Sequence, residues 1–159
     1  MEAGGGSRSR TEATIISPRR TELITTSPEE TEIAAERLAA WLTRGDLLLL
    51  VGEMGAGKTT FVRGLARGLG LAAEVMSPTF QLVRLYPGPL PLAHVDLYRL
   101  ADSSELDDLG LEELLEDGVV AVEWGDRLQS CLAVRVRLEI VGNESRRLRL
   151  EGAPDSWSW

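Results

Sequence analysis

The hydrophobic and polar positions of this chain change period several times, and each change marks an element. Residues 46–51 read Asp-Leu-Leu-Leu-Leu-Val, an apolar run of the length of a strand buried on both faces. After a Gly-rich interval, Val62, Leu65, Ala66 and Leu69 recur at helical spacing, which predicts a helix over 58–69 that Gly68-Leu69-Gly70 ends. Upstream, residues 23–26 form a short candidate strand. Ser27-Pro28-Glu29-Glu30 then opens a helix on three agreeing signals: Ser27 as N-cap, Pro28 at the first helical position, and Glu30 closing a capping box. Ala34, Leu38, Trp41 and Leu42 give that helix its apolar stripe, with Trp41 expected in the core, and Gly45 ends it.

Downstream, residues 80–86 alternate as a strand does, and Pro87-Gly88-Pro89-Leu90-Pro91 is a turn. Residues 92–98 and 119–123 are apolar runs that end at or near a carboxylate. Between them, 103–117 is rich in acids and has no base; its leucines at 106, 109, 111, 114 and 115 predict two short helical turns broken at Gly110. Residues 133–141 and 146–151, joined through Gly142-Asn143, read as a β-hairpin. Strands that alternate with helices, followed by a hairpin, predict one α/β domain, and the phosphate-binding loop Gly52-x-x-x-x-Gly57-Lys58-Thr59 between the 46–51 strand and the 58–69 helix makes it one of the P-loop NTPase type. Its central sheet is mainly parallel with an antiparallel edge hairpin.

Composition narrows the setting. A chain of 159 residues, 43% hydrophobic, suits one compact domain, expected over 21–152. Residues 1–20 read as a disordered leader and 153–159 as a loose tail. A ten-residue echo, Thr11-Glu12…Ser17-Pro18 then Thr21-Glu22…Ser27-Pro28, is too slight for a repeat architecture. No apolar stretch approaches the ~20 residues of a membrane span, and the start lacks the apolar segment of a signal peptide. Cys131 is the only cysteine, which excludes an intrachain disulfide and fits a reducing cytoplasm. The formal net charge of −8 argues against direct tenure of a polyanion, so any nucleic acid is expected to be held through a partner.

The chemistry starts at Gly52-x-x-x-x-Gly57-Lys58-Thr59, a complete phosphate-binding loop between the predicted strand and helix. Its glycines allow backbone angles and close approach that a Cβ forbids. The backbone N–H groups of Glu53, Met54, Gly55, Ala56, Gly57, Lys58, Thr59 and Thr60 are expected to grip phosphate, at a helix terminus that carries about half a positive charge. Lys58 reaches the β- and γ-phosphates, and the Thr59 hydroxyl is placed to ligate Mg²⁺. A second strand must deliver an acid, and two compete: Asp96 at the end of 92–96 and Glu123 at the end of 119–123. Leu97 follows Asp96, so the Asp-Glu pair that supplies a base in many ATPases is absent.

Other residues are weighed on the same terms. Thr79, in Ser77-Pro78-Thr79-Phe80, is either a hydroxyl on a mobile segment that completes a Mg²⁺ shell or part of an ordinary Pro turn. The sole asparagine, Asn143, lies in the hairpin turn, so guanine recognition through Asn-Lys-x-Asp is excluded and ATP is favoured. Asp107-Asp108-Leu109-Gly110 matches an Asp-x-x-Gly box by chance. His94, the sole histidine, reads as a satisfied core group, and Cys131 as inert. Trp124 either flanks a nucleotide or packs.

Taken together, Gly52–Thr60, Ser77-Pro78-Thr79-Phe80, His94-Val95-Asp96-Leu97-Tyr98-Arg99-Leu100, Gly110-Leu111-Glu112-Glu113 and Val122-Glu123-Trp124 resemble the TsaE family. The likeness runs from about Thr21 to about Gly152. It implies a bacterial cytoplasmic ATPase, weak alone and stimulated by partners. Such a protein serves threonylcarbamoyl (t6A) modification of adenosine 37 in tRNA through the TsaB and TsaD subunits. By the same resemblance ATP and Mg²⁺ are the cofactors, and Lys58 and Thr59 hold phosphate and metal. Asp96 takes the Walker B-like role, Glu123 is a metal-binding or catalytic acid, and Thr79 occupies the switch-like position. Ser27 with the helix start at 29–31, and Arg146 in the hairpin, approach the nucleotide. Residues 103–117 then offer either an acidic docking face for a basic partner or a plain solvated helical face. A small-molecule P-loop kinase remains open, though no Arg-rich lid lies between Asp96 and Glu123. So does a nucleotide-gated binding module without turnover.

Overall fold

The computed structural model describes residues 20–71, 75, 82–98, 109–124, 128 and 133–159. Thr79 and its segment, Cys131, most of the leader and much of the acidic stretch therefore lie outside the described residues. The elements in chain order are β1 (Glu22–Thr25), α1 (Pro28–Leu38), a 3₁₀ turn (Ala39–Trp41), β2 (Leu47–Val51), α2 (Lys58–Gly68) and β3 (Val83–Tyr86). They continue with β4 (Leu92–Asp96), α3 (Leu111–Asp117), β5 (Val119–Glu123), β6 (Val134–Ile140) and β7 (Arg146–Glu151).

One seven-stranded sheet holds these together in the order β1-β7-β6-β2-β5-β4-β3. The centre, β6-β2-β5-β4, is parallel. The expected antiparallel hairpin, β6 with β7, forms one border and β1 extends it. The opposite border is antiparallel as well, because the 87–91 turn folds β3 back on β4. The hairpin register runs to Ile140 opposite Arg146, so its connection spans 141–145 rather than Gly142-Asn143 alone.

β2 explains why the centre is buried on both faces. Leu48 and Leu50 enter the core beneath α1 and α2 with Phe61, Val62 and Leu65. Leu47 and Leu49 face the other way, with Ala93, Val95, Val120 and Val122, against the leucines of α3. α1 and α2 pack closely because a Cβ on Gly64 meets the Glu32 carbonyl, and one on Gly68 would lie 2.5 Å from the Glu36 carbonyl.

The α1 cap forms at Ser27 as predicted, but the Glu30 side chain returns to Thr26, one residue before the N-cap, rather than to the Ser27 N–H of a capping box. Glu30 N–H donates to Ser27 Oγ at 3.1 Å, and Thr26 N–H donates to Glu30 Oε1 at 2.7 Å. The Glu30 carboxyl is held below the usual carboxylate range by these Thr26 hydrogen bonds.

Two expectations need correction. Trp41 is not core: it is 41% exposed, because the 3₁₀ turn breaks the helical period and rotates it outward, where its indole N–H donates to the Ser158 carbonyl at 3.1 Å. Nor is 153–159 loose. Trp157 is 4% exposed within the core, and Trp159 meets Phe61 edge-on at 6.0 Å while donating its indole N–H to the Thr21 carbonyl. Two indoles bring enough apolar surface to offset the ordering of a short tail.

Candidate functional site

The phosphate loop is built where β2 leaves the sheet. A Cβ on Gly52 would lie 2.5 Å from the Leu138 carbonyl, so the loop turns tightly against β6. Gly57 stands at φ +102° as the residue before α2 and supplies no side-chain cap, and no acid occupies the first turn of α2. α1 spends its terminal N–H groups on Ser27, whereas α2 presents its own to the loop's concavity, which suits an anion.

Lys58 is nearly buried. Its ammonium donates to the carbonyls of Gly52 at 2.6 Å and Glu53 at 3.0 Å, and lies 3.9 Å from the centre of the Trp124 ring. Trp124 has φ +61°, the left-handed region that costs a bulky residue strain. The Tyr98 ring lies tilted against it at 5.0 Å between ring centres.

The two candidate acids end neighbouring strands and face each other in register, Asp96 opposite Glu123. They do not have equal access to the loop. Thr59 Oγ1 donates to Glu123 Oε2 at 2.9 Å, and His94 Nε2 lies 2.5 Å from the same oxygen. Asp96 Oδ1 instead accepts the Tyr98 N–H at 2.9 Å. Of the two competing acids, Glu123 is the one that meets the loop threonine, while Asp96 lines the same cleft without that contact. Strand order is the reason: β5 pairs with β2, and β4 stands one strand further out.

Lys58, Thr59, Asp96, Glu123 and Trp124 line a cleft of about 450 Å³ together with Met54, Gly55, Gly57 and Thr60, while His94 lies buried behind it. Glu53 and Ala56 shape the loop from within, through the Ala56 N–H bond to the Glu53 carbonyl at 3.0 Å and the carbonyl that holds Lys58. Arg146 does not line the cleft: it donates to the carbonyls of Ala56 and Gly55, at 3.2 and 3.0 Å, and to those of Gly142, Asn143 and Ser145. It ties loop to hairpin rather than reaching inward. Ser27 is likewise outside the cleft, its hydroxyl committed to the α1 cap.

Sequence reasoning missed three contributors. His94, expected as a satisfied core group, touches the site carboxylate through Nε2. Tyr98 and Arg63 both line the cleft. Their signals were available: Arg63 follows Thr59 at helical spacing, and Tyr98 follows Asp96 at strand spacing.

The residues fit a magnesium nucleotide. Among the described residues, no three His, Cys, Asp or Glu side chains converge to hold a metal by themselves. A hydroxyl with one or two carboxylates beside a phosphate nest is instead the donor set Mg²⁺ takes when phosphate oxygens complete its shell.

Comparison with known proteins adds to this geometry. A family model described as "Threonylcarbamoyl adenosine biosynthesis protein TsaE" matches residues 25–149. The chain is similar to the tRNA threonylcarbamoyladenosine biosynthesis protein TsaE of Streptomyces coelicolor, 43% identical over 134 residues, covering 77% of this chain and 90% of the relative. The Bacillus subtilis protein of the same name is 45% identical over 130 residues, covering 78% and 80%. In structure, the chain resembles crystalline YdiB of Bacillus subtilis with a TM-score of 0.71 and 33% identity, covering 86% of this chain and 87% of that one.

Proposed function

The chain belongs to the TsaE family of threonylcarbamoyl adenosine biosynthesis proteins, and on that premise we propose that it is a Mg²⁺-dependent ATPase serving t6A modification of tRNA. The observation that carries the reading is the Thr59–Glu123 hydrogen bond of 2.9 Å at the mouth of the phosphate loop, beside Lys58. A threonine that gives its proton to a carboxylate keeps its lone pairs for a cation.

Each residue then has a part. The loop N–H groups and Lys58 bind the triphosphate, with Lys58 exchanging its loop carbonyls for phosphate oxygens. Thr59 and Glu123 would hold Mg²⁺, with Asp96 beside them and Thr79 a candidate fourth donor. Bound there, Mg²⁺ supplies neutralising charge to the β- and γ-phosphates. Trp124 and Tyr98 wall the cleft, and Arg146 keeps the loop in shape.

No second acid follows Asp96 to activate water. Turnover is therefore slow in isolation and rises when TsaB and TsaD dock, with tRNA reached only through them. The acidic charge of −8 supports this indirect contact. A cytoplasmic setting follows from the same role, and among the described residues no helix is long and apolar enough to cross a membrane.

The test is ATP hydrolysis measured alone and with TsaB–TsaD, alongside calorimetry of a magnesium ATP analogue. Binding with partner-stimulated turnover is expected. Turnover that is fast alone and indifferent to the partners counts against the reading, and absence of binding heat from folded protein overturns it.

A further inference from the structure

We propose that His94 is a positioning residue that locks the Glu123 carboxylate in one orientation for the cation. The proposal rests on reading the cleft as a magnesium nucleotide site. His94 sits on β4 at 0% exposure, and its Nε2 lies 2.5 Å from Glu123 Oε2. A carboxylate only accepts, so the nitrogen that faces it at that distance carries the proton. The ring is held in its Nε2–H form.

The other ring nitrogen, Nδ1, is buried without a hydrogen-bond partner among the described residues. The hydrogen bonding of the ring among the described residues is therefore confined to Nε2. At that end, the Thr59 hydroxyl from α2 and the His94 ring from β4 both donate to the same oxygen, Oε2. Two donors from separate elements fix the carboxylate plane and leave Oε1 for a cation. Partners standing behind a metal ligand in this way orient it and typically change metal affinity by about 10–100-fold.

The experiment compares the affinity for a non-hydrolysable ATP analogue with Mg²⁺ and with a chelator, by calorimetry, in the wild type, His94→Leu and His94→Gln. The gain from Mg²⁺ is expected to shrink about tenfold in His94→Leu, with metal-free affinity unchanged. Glutamine, whose amide N–H reaches the place of Nε2, is expected to restore most of the gain. Leucine keeping the full gain, or leucine and glutamine behaving alike, overturns the proposal. Because His94 is the only histidine, ¹⁵N-imidazole NMR of the unaltered protein reads its tautomer from a single ring without requiring any variant to fold. A protonated Nε2 is expected, and a bare Nε2 with protonated Nδ1 overturns the proposal. Nucleotide binding with no gain from Mg²⁺ in the wild type sinks the role of His94 while the phosphate-loop reading stands; no binding at all sinks both.

Discussion

At the scale of single residues, the site depends on charges held where water is mostly excluded. Lys58 is 5% exposed and meets loop carbonyls and an indole face. Replacing it with alanine removes the cation that faces the phosphates. Lys58→Ala is expected to weaken nucleotide binding by about 2–5 kcal/mol, the cost of stranding a desolvated phosphate charge, as titration calorimetry would read it. The carboxylates should respond unequally. Glu123→Gln, which disturbs an acceptor shared by Thr59 and His94, is expected to reduce Mg²⁺-dependent hydrolysis more than Asp96→Asn does. Equal losses in a hydrolysis assay would return Asp96 to the part the sequence reading assigned it.

At the scale of elements, local chemistry sets the helices and close approach sets their pairing. Ser27→Ala removes the α1 cap and is expected to lower stability by about 1 kcal/mol in chemical denaturation. Gly64→Val puts a branched side chain against the Glu32 carbonyl and Ala35 Cβ, and is expected to cost about 1–3 kcal/mol through overpacking. pH acts on the same elements. The carboxyls of Glu30, bonded to Thr26, and of Glu151, bonded to Arg137, are both held below their usual range. A depressed carboxylate stabilises the fold above its unfolded pKa and loses that contribution as pH falls through its folded value. Melting temperature should therefore decline on acidification below the usual carboxylate range, and Glu30→Gln should flatten part of that slope. The Ser27 cap and the apolar stripe of α2 were legible in the sequence, because each is a pattern within a dozen consecutive residues.

At the scale of the whole molecule, the two ends of the described chain clasp each other over the α1–α2 layer. Trp159 N–H donates to the Arg20 carbonyl, its indole to Thr21, and its ring meets Phe61 in the first turns of α2. Trp157 fills the core beneath. Trp157→Ala is expected to destabilise by about 3–5 kcal/mol, with a melting temperature lower by on the order of 10 °C. A change within experimental error in differential scanning fluorimetry would mean that the tail is dispensable. None of this is readable from Asp-Ser-Trp-Ser-Trp, which resembles any polar tail until its neighbours are known.

The chain's own pattern determined where the phosphate loop lies, which strand enters it, which helix leaves it and how α1 begins. Those features arise from contiguous residues whose spacing alone decides the outcome. Tertiary structure decided that Glu123 rather than Asp96 meets Thr59, that His94 turns toward that carboxylate, that Arg146 binds the loop's back and that Trp157 of the tail joins the core. Each of these depends on strand order or on contacts between distant segments. Two strands with equally apolar runs and terminal acids are equivalent in sequence, and only their placement in the sheet, β5 against β2 and β4 beyond it, separates them.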